Sequence, residues 1–353
     1  MILGLVLCLA SGLLAMYLGG LQSVIGGPMI GLFLGMLLCN GMPASFVERM
    51  KKGAKFSSKY LLKFGIILAG GTLSFKVIIG VGKSSLPISI FNICLAFAVA
   101  LIIGRALRLP GNTSLLVGGG TSICGGTAIA TLAPIVEADE DEIAYAMTAI
   151  FLFDILAALM WPYAARGMGL TPEQYGILGG LAINDTSSVT AAGATFDSLM
   201  GDAALTAVNG EIISAGNIAV VIKLTRTVLL VFVAIAVMLV KAFSVGGSRA
   251  AAVPGASFGR RAAKAFPLFV LGFLFLAVLN TLVNFSGIRV GAFTLSQMLA
   301  KGNKYLISTA LVGVGCSIKL RDLFTKGIKP VLLGGCTWLA ASASTLTYIF
   351  VFT

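Results

Sequence analysis

The chain has 353 residues, of which 58% are hydrophobic and only 11% charged, and its mean hydropathy is +1.02. Soluble globular domains carry about 25% charged residues, so this composition excludes a soluble enzyme and indicates an all-α polytopic membrane protein, one domain over 1–353. The net charge of +12 sits mostly in short intervals beside apolar runs, which is the pattern of cytoplasmic loops and gives no reason to invoke nucleic acid.

A membrane-spanning helix takes about 20 apolar residues. On that basis the chain reads as ten or eleven spans: 2–19, 26–40, 60–80, 86–104, 112–136, 143–164, 174–195, 207–240, 266–284, 296–316 and 331–352. The first lacks a basic flank and reads as a transmembrane helix, not a cleaved signal peptide. Arg49, Lys51, Lys52 and Lys55 follow the second, Arg105 and Arg108 the fourth, Arg166 the sixth, and further basic residues the eighth and tenth. Every even span thus ends in a basic loop, which places those loops and the N-terminus in the cytoplasm. The acidic run EADEDE (137–142) then falls outside; Lys76 and Lys83, in an outer loop by this count, break the rule. The eighth span is too long for one straight crossing and implies either tilt or a surface helix at its start. Residues 243–264, rich in Gly, Ala and Ser, read as a cytoplasmic linker.

Residues 68–87 align without gaps to 311–330, with Leu68/Leu311, Gly70/Gly313, Ser74/Ser317, Lys76/Lys319, Lys83/Lys326 and Pro87/Pro330 identical. The charge rule runs the two copies in opposite directions, as in the inverted repeats of secondary transporters. The repeat-related segments are 61–105 and 304–350.

Two spans are built from residues that weaken helices. LLVGGGTSICGGTAIATLAP (115–134) places five glycines between Gly118 and Gly126, and Gly costs about 1 kcal/mol against Ala in a helix interior. Unwound backbone at membrane depth is tolerated only against protein or water, so a discontinuous helix is expected near 118–130, broken at Gly125 and Gly126. Its second half would aim free N–H groups and a positive dipole end into the gap, with Thr121, Ser122, Cys124 and Thr127 beside them. Close helix packing through small residues is the alternative. GGLAINDTSSVTAAGA (179–194) has the same character and predicts a second break near 180–193. It holds Asn184, Asp185, Thr186 and Ser187. Asp185 is the sharpest residue, because an ionisable group at mid-bilayer costs about 2.5–3.5 kcal/mol on insertion scales; it reads as a coupling-ion site, or as the N-cap of a half-helix. Asp154, in FLFDILAALMWP, is a second intramembrane acid without polar neighbours in sequence and ranks below it. In GNIAVVIKLTRTVLLV (216–231), Lys223 and Arg226 share a helical face. They either snorkel toward a surface, pair with Asp185, or hold an anion. Glu211 and Asn217 extend a polar path from the same span.

The six cysteines form no CxxC or metal-ligand spacing and read as small buried hydrophobes. There is no histidine, so Ser122 has no usual triad base, and GGGTSICGG lacks the ending of a phosphate-binding loop. No metal, cofactor or enzymatic activity is expected.

At GTSICGGTAIAT, INDTSSVTAAG and VIKLTR the chain resembles the YeiH-type family of bacterial inner-membrane proteins, the proposed sulfate exporters, over nearly its whole length. The motifs map onto Gly120 to Ala130, Ile183 to Gly193, and Lys223 to Arg226. The resemblance implies a multi-pass protein of the bacterial cytoplasmic membrane that exports sulfate or small sulfonates. Family members usually carry His where this chain has Asn184, and Gly where it has Asp154. The resulting Asn-Asp pair is similar to that in the broken-helix core of electroneutral sodium/proton antiporters. The expectation is therefore a secondary transporter of a small anion by alternating access, coupled to H+ or Na+ through Asp185, embedded in the bilayer, with a homodimer as the expected assembly. The alternative is a sodium/proton antiporter built on Asn184 and Asp185. One tension stands: the repeat pairs spans three and ten, whereas both polar motifs fall in spans that this count runs in the same direction. Either the motifs are unrelated by the repeat, or the count is off by one between 136 and 207.

Overall fold

A computed structural model describes residues 1–21, 27–244, 268–317 and 328–353. It is a helical membrane protein. Among the described residues, five helices are long and apolar enough to cross a bilayer: Ile2–Leu21, Phe75–Ala106, Asp141–Gly167, Ala215–Lys241 and Ile328–Phe352. The linker predicted at 243–264 lies, from residue 245 on, outside the described residues, as do Lys319 and Lys326 of the second repeat copy.

In chain order the helices are α1 (Ile2–Leu21), α2 (Gly27–Gly41), α3 (Ala44–Phe56), α4 (Leu62–Gly70), α5 (Phe75–Ala106), α6 (Gly111–Ser122), α7 (Gly126–Val136), α8 (Glu140–Gly167), α9 (Pro172–Ala182), α10 (Thr186–Met200), α11 (Ala215–Val228), α12 (Leu230–Ser244), α13 (Leu268–Val283), α14 (Leu295–Gly315) and α15 (Ile328–Phe352). The strands among the described residues form two antiparallel hairpins, β1 (Leu205–Val208) with β2 (Glu211–Ser214), and β3 (Arg289–Val290) with β4 (Phe293–Thr294).

Two expected spans are corrected. Span three does not run over 60–80. α3 joins α4 through one π-helical turn (Ser57–Leu61), the chain breaks at 71–74, and α5 then runs 32 residues. Lys76 and Lys83 therefore belong to α5 and not to an outer loop, and Arg49, Lys51, Lys52 and Lys55 lie on α3 and not in a loop. Ser74 caps α5 by accepting from the Val77 amide, and Pro87 is carried inside the helix, as membrane helices allow. Span eight is neither one tilted helix nor a surface helix at its start. Asn209 and Gly210 take positive φ values of 52° and 83°, which is the geometry of a two-residue hairpin turn, so the span begins as β1–β2 before α11. The acidic run serves as helix capping: Asp139 and Glu142 form a capping box at the start of α8, and Glu142 accepts from Asn112 Nδ2 at 3.1 Å.

The helices pack through small residues. α2 lies against α14 so closely that a Cβ on Gly35 would stand 2.0 Å from the Val312 carbonyl oxygen, and one on Gly315 would stand 2.1 Å from the Leu32 carbonyl oxygen. Gly65 of α4 faces Ile307 of α14, and Asn92 of α5 donates to Thr345 Oγ1 of α15 at 2.8 Å while accepting from Ser344. The described helices of segments 61–105 and 304–350 are thus in contact. Of the six cysteines, Cys8 and Cys124 are buried as expected, Cys39 and Cys316 are partly buried, and Cys94 and Cys336 are exposed.

Because the atom in the way at Gly35 is backbone, Gly35→Ala must separate α2 from α14. Overpacking of this kind costs about 1–3 kcal/mol. A thermal melt of the purified variant should show a lowered Tm; an unchanged Tm would mean that this contact is looser than described.

Candidate functional site

Both predicted discontinuous helices are present. The first break is Ile123–Gly125, between α6 and α7, and the second is Ile183–Asp185, between α9 and α10. Gly125 takes φ +60°, which an L side chain rarely adopts. A Cβ there would lie 3.5 Å from Asp185 Cβ and 3.7 Å from the Asn184 carbonyl carbon. The two breaks therefore abut, with Ile123, Cys124, Ile183 and Asn184 almost wholly buried.

Unwinding frees backbone groups that cost free energy if left bare in an apolar interior. At the second break most are taken up by side chains. Leu181 O accepts from Arg226 Nη1 at 2.6 Å, Ala182 O from Trp338 Nε1 at 2.9 Å, and Ile183 O from both Lys223 Nζ at 2.7 Å and Arg226 Nη2 at 3.2 Å. On the other side, the Asn184 and Asp185 amides donate to Asp154 Oδ1 at 2.9 and 2.7 Å. Ser188 donates its hydroxyl to Asp154 Oδ2. Asp185 caps α10, its Oδ2 accepting from the Ser187 amide at 2.9 Å and from the Ser187 hydroxyl. Arg226 also reaches the first break, where its Nε donates to Ile123 O at 3.0 Å.

The peptide unit joining Ile183 to Asn184 is thereby held at both ends, by the Lys223 amine and the Arg226 guanidinium on its carbonyl and by the Asp154 carboxyl on its N–H. The helix that supplies both cations is fitted to both halves of the broken one. Gly176 and Gly180 of α9 let Ile218 and Ile222 of α11 approach, and Gly193 of α10 meets Gly216 of α11 backbone to backbone. α11 thus splints α9 and α10 across their gap, and puts Lys223 and Arg226 level with it.

Of the residues singled out in the sequence, Gly125, Asn184, Asp185, Ser187, Lys223 and Arg226 converge here. Thr121, Ser122 and Cys124 are buried at the first break, and Ser122 donates within its own helix to Gly119 O. Gly126 is half-buried and opens α7; Thr186 is buried and opens α10. Thr127 is a correction: it starts α7 on its exposed side and does not enter the gap. Asp154 is a second one. It accepts from two amides of the break and from Ser188 of α10 and is 2% exposed, so it belongs to the centre of the site and not behind Asp185. Lys223 and Arg226 neither snorkel nor pair directly with Asp185, because both are fully buried on backbone carbonyls. Glu211 is exposed on β2. Among the described residues no three His, Cys, Asp or Glu side chains converge as metal ligands.

Two buried polar groups near the breaks have no hydrogen-bond partner among the described residues: the Asn184 carboxamide, at both its oxygen and its nitrogen, and the Thr121 hydroxyl. Buried polar groups are ordinarily paired, so these atoms are available to a solute, an ion or water.

The chain matches the family described as "Conserved hypothetical protein 698" over residues 3–334. It is similar to the UPF0324 membrane protein SpyM3_0740 of Streptococcus pyogenes serotype M3, with 37% identity over 343 residues, 97% of this chain and 95% of the relative. The UPF0324 membrane protein spr0034 of Streptococcus pneumoniae is 34% identical over the same shares. The UPF0324 membrane protein FN0533 of Fusobacterium nucleatum is 31% identical over 96% of this chain and 94% of its own length.

Arg226 sends three nitrogens to three carbonyls, a fork that a single ammonium cannot reproduce. Arg226→Lys should therefore lose folded yield and thermal stability, by about 3–5 kcal/mol where a buried charge network is broken. Fluorescence-detected size exclusion with heating would report it; wild-type behaviour of the lysine variant would show that the fork is dispensable.

Proposed function

We infer that this chain, which belongs to the Conserved hypothetical protein 698 family and is a multi-pass membrane protein, is a secondary active transporter of a small anion, sulfate-like or sulfonate-like. Its transport is coupled to H+ or Na+ and proceeds by alternating access. The observation that carries this reading is the pair of helix breaks meeting in the buried interior, with backbone held by Lys223, Arg226 and Asp154. Broken helices facing one another near the midplane are the solute-site architecture of secondary transporters.

In this reading the clamp keeps the breaks open without a solute. Lys223 and Arg226 act mainly as positive charges that bias the gap toward anions, and their hydrogen bonds stay on the backbone. Asp185 is only half-buried, and its Oδ1 accepts no hydrogen bond among the described residues, which supports a role in taking up a proton or a sodium ion. The unpartnered Asn184 and Thr121 side chains supply polar contacts at depth. One helical bundle then moves against the other around the rigid crossing. The bacterial cytoplasmic membrane, a cytoplasmic N-terminus and a homodimer are parts of the same proposal.

One observation favours a second reading, sodium/proton antiport: two carboxylates, Asp154 and Asp185, share one break, the Asp185 amide donating to Asp154. Proteoliposomes separate the two. The anion reading expects saturable flux of labelled sulfate or a small sulfonate. In that reading Asp185→Asn retains downhill flux but loses its dependence on the proton or sodium gradient. Sodium-driven pH change that proceeds equally in the absence of any transported anion would contradict it and support antiport.

A further inference from the structure

A cavity of about 380 Å³ lies between α10, α11 and α14, away from the contacts of the clamp. Its polar walls are Thr190 and Asp197 of α10, Ser214 and Asn217 at the start of α11, and Asn303 and Lys304 of α14. Thr190 stands one turn beyond the second break, its hydroxyl donating to Thr186 O at 2.8 Å, so the cavity reaches to the edge of the site described above.

The charges in this cavity are not equivalent. Asp197 is committed to the N-terminus of α11: its Oδ1 accepts from the Gly216 amide at 3.0 Å, and the Ser214 hydroxyl hydrogen-bonds to it. A carboxylate at that place offsets the positive end of the helix dipole. Lys304 is near enough to Asp197 to attract its carboxylate, but it is exposed to the cavity and forms no salt bridge among the described residues. With Asp197 held by the start of α11, the Lys304 ammonium is the charge that a solute can reach. Next to it, Asn303 Oδ1 is fully enclosed and accepts no hydrogen bond among the described residues. An amide oxygen enclosed in this way lacks a donor. The side chain of Asn217 lines the same space.

We propose that this cavity is the binding site for a small organic anion that carries a hydrogen-bond donor of its own, such as a hydroxyl or ammonium group. The anionic group docks on Lys304, and the donor is received by Asn303 Oδ1, with the Asp197 wall beyond it. The volume is at the small end of ligand pockets, which suits a solute of a few heavy atoms. The inference rests on the anion-transport reading and adds to it a location and a requirement: a bare oxoanion satisfies Lys304 but leaves Asn303 unpaired.

The test uses the purified full-length chain and pairs of anions differing only in the donor: lactate against propionate, and isethionate against ethanesulfonate, with sulfate as the bare oxoanion. Binding is read by isothermal titration calorimetry. A hydrogen bond to a buried acceptor is worth roughly a tenfold preference or more. The expected result is that the hydroxylated member of each pair binds at least about tenfold tighter than its partner and than sulfate. Lys304→Gln should weaken lactate by about tenfold or more while leaving the Tm unchanged, since Lys304 is exposed. Asn303→Leu should remove the preference for the hydroxylated member. Equal binding within each pair, or full affinity in Lys304→Gln, overturns the proposal. If proteoliposomes carry an anion with the same KM in wild type and Lys304→Gln, the cavity is rejected and the transport reading stands; if no anion is carried or bound, both fall together.

Discussion

A single peptide group, the one between Ile183 and Asn184, sits between two buried basic side chains and a buried acidic one, and the site is arranged around that fact. Moving a charged side chain out of water costs several kcal/mol even after relaxation. Four such groups, Asp154, Asp185, Lys223 and Arg226, lie at or beside this peptide without a direct ion pair within 4 Å among the described residues. Their charges are instead spent on backbone dipoles. The carbonyl end takes Lys223 and Arg226, the amide end takes Asp154, and the next carboxylate, Asp185, closes the helix that follows. Charge-assisted hydrogen bonds are about twice as strong as neutral ones. The unwound backbone and the buried side chains therefore satisfy one another, and neither would be tolerated alone.

The glycines acquire a mechanical meaning from this arrangement. Gly176, Gly180 and Gly193 bring α11 into contact with both halves of the interrupted helix, and Arg226 on α11 ties in the other interrupted helix through Ile123 O. One side chain thus couples both breaks to one splint. Under the alternating-access reading proposed above, a crossing braced in this way would move as a body. The open cavity on α10, α11 and α14 borders that body and the α2–α14 bundle beside it, so a solute lodged there would feel any relative displacement of the two.

Much of this was legible in the chain, for definite reasons. Five glycines in nine positions, and Asn-Asp among small residues, carry their own conformational message. Both breaks fell where the residues put them, within a residue or two. Lys223 and Arg226 were visible because charge in an apolar run always has a partner, although the sequence did not say that the partners were carbonyls. Asp154 was underrated because its donors are backbone amides thirty residues away, and backbone donors leave no mark on composition. The Asn209-Gly210 turn did leave a mark, in a dipeptide with a strong hairpin preference, but hydropathy averaged over a long window concealed it. The long α5 was hidden by Lys83 and Pro87, which suggested a loop where the helix continues. The cavity was the least legible part: only Asn217 stood out as part of a polar path, while Asp197, Asn303 and Lys304 come from helices far apart in sequence.

The most direct measurement is residue-resolved hydrogen–deuterium exchange of the Asn184 and Asp185 amides in the purified protein. Both lie outside any helix, where amides ordinarily exchange fast, yet both donate to Asp154 in a buried clamp. The account predicts slow exchange, comparable with the helix interiors on either side, and its loss in Asp154→Ala. Fast exchange at both amides in the wild type would mean that the break is not held, and the clamp described here would not exist.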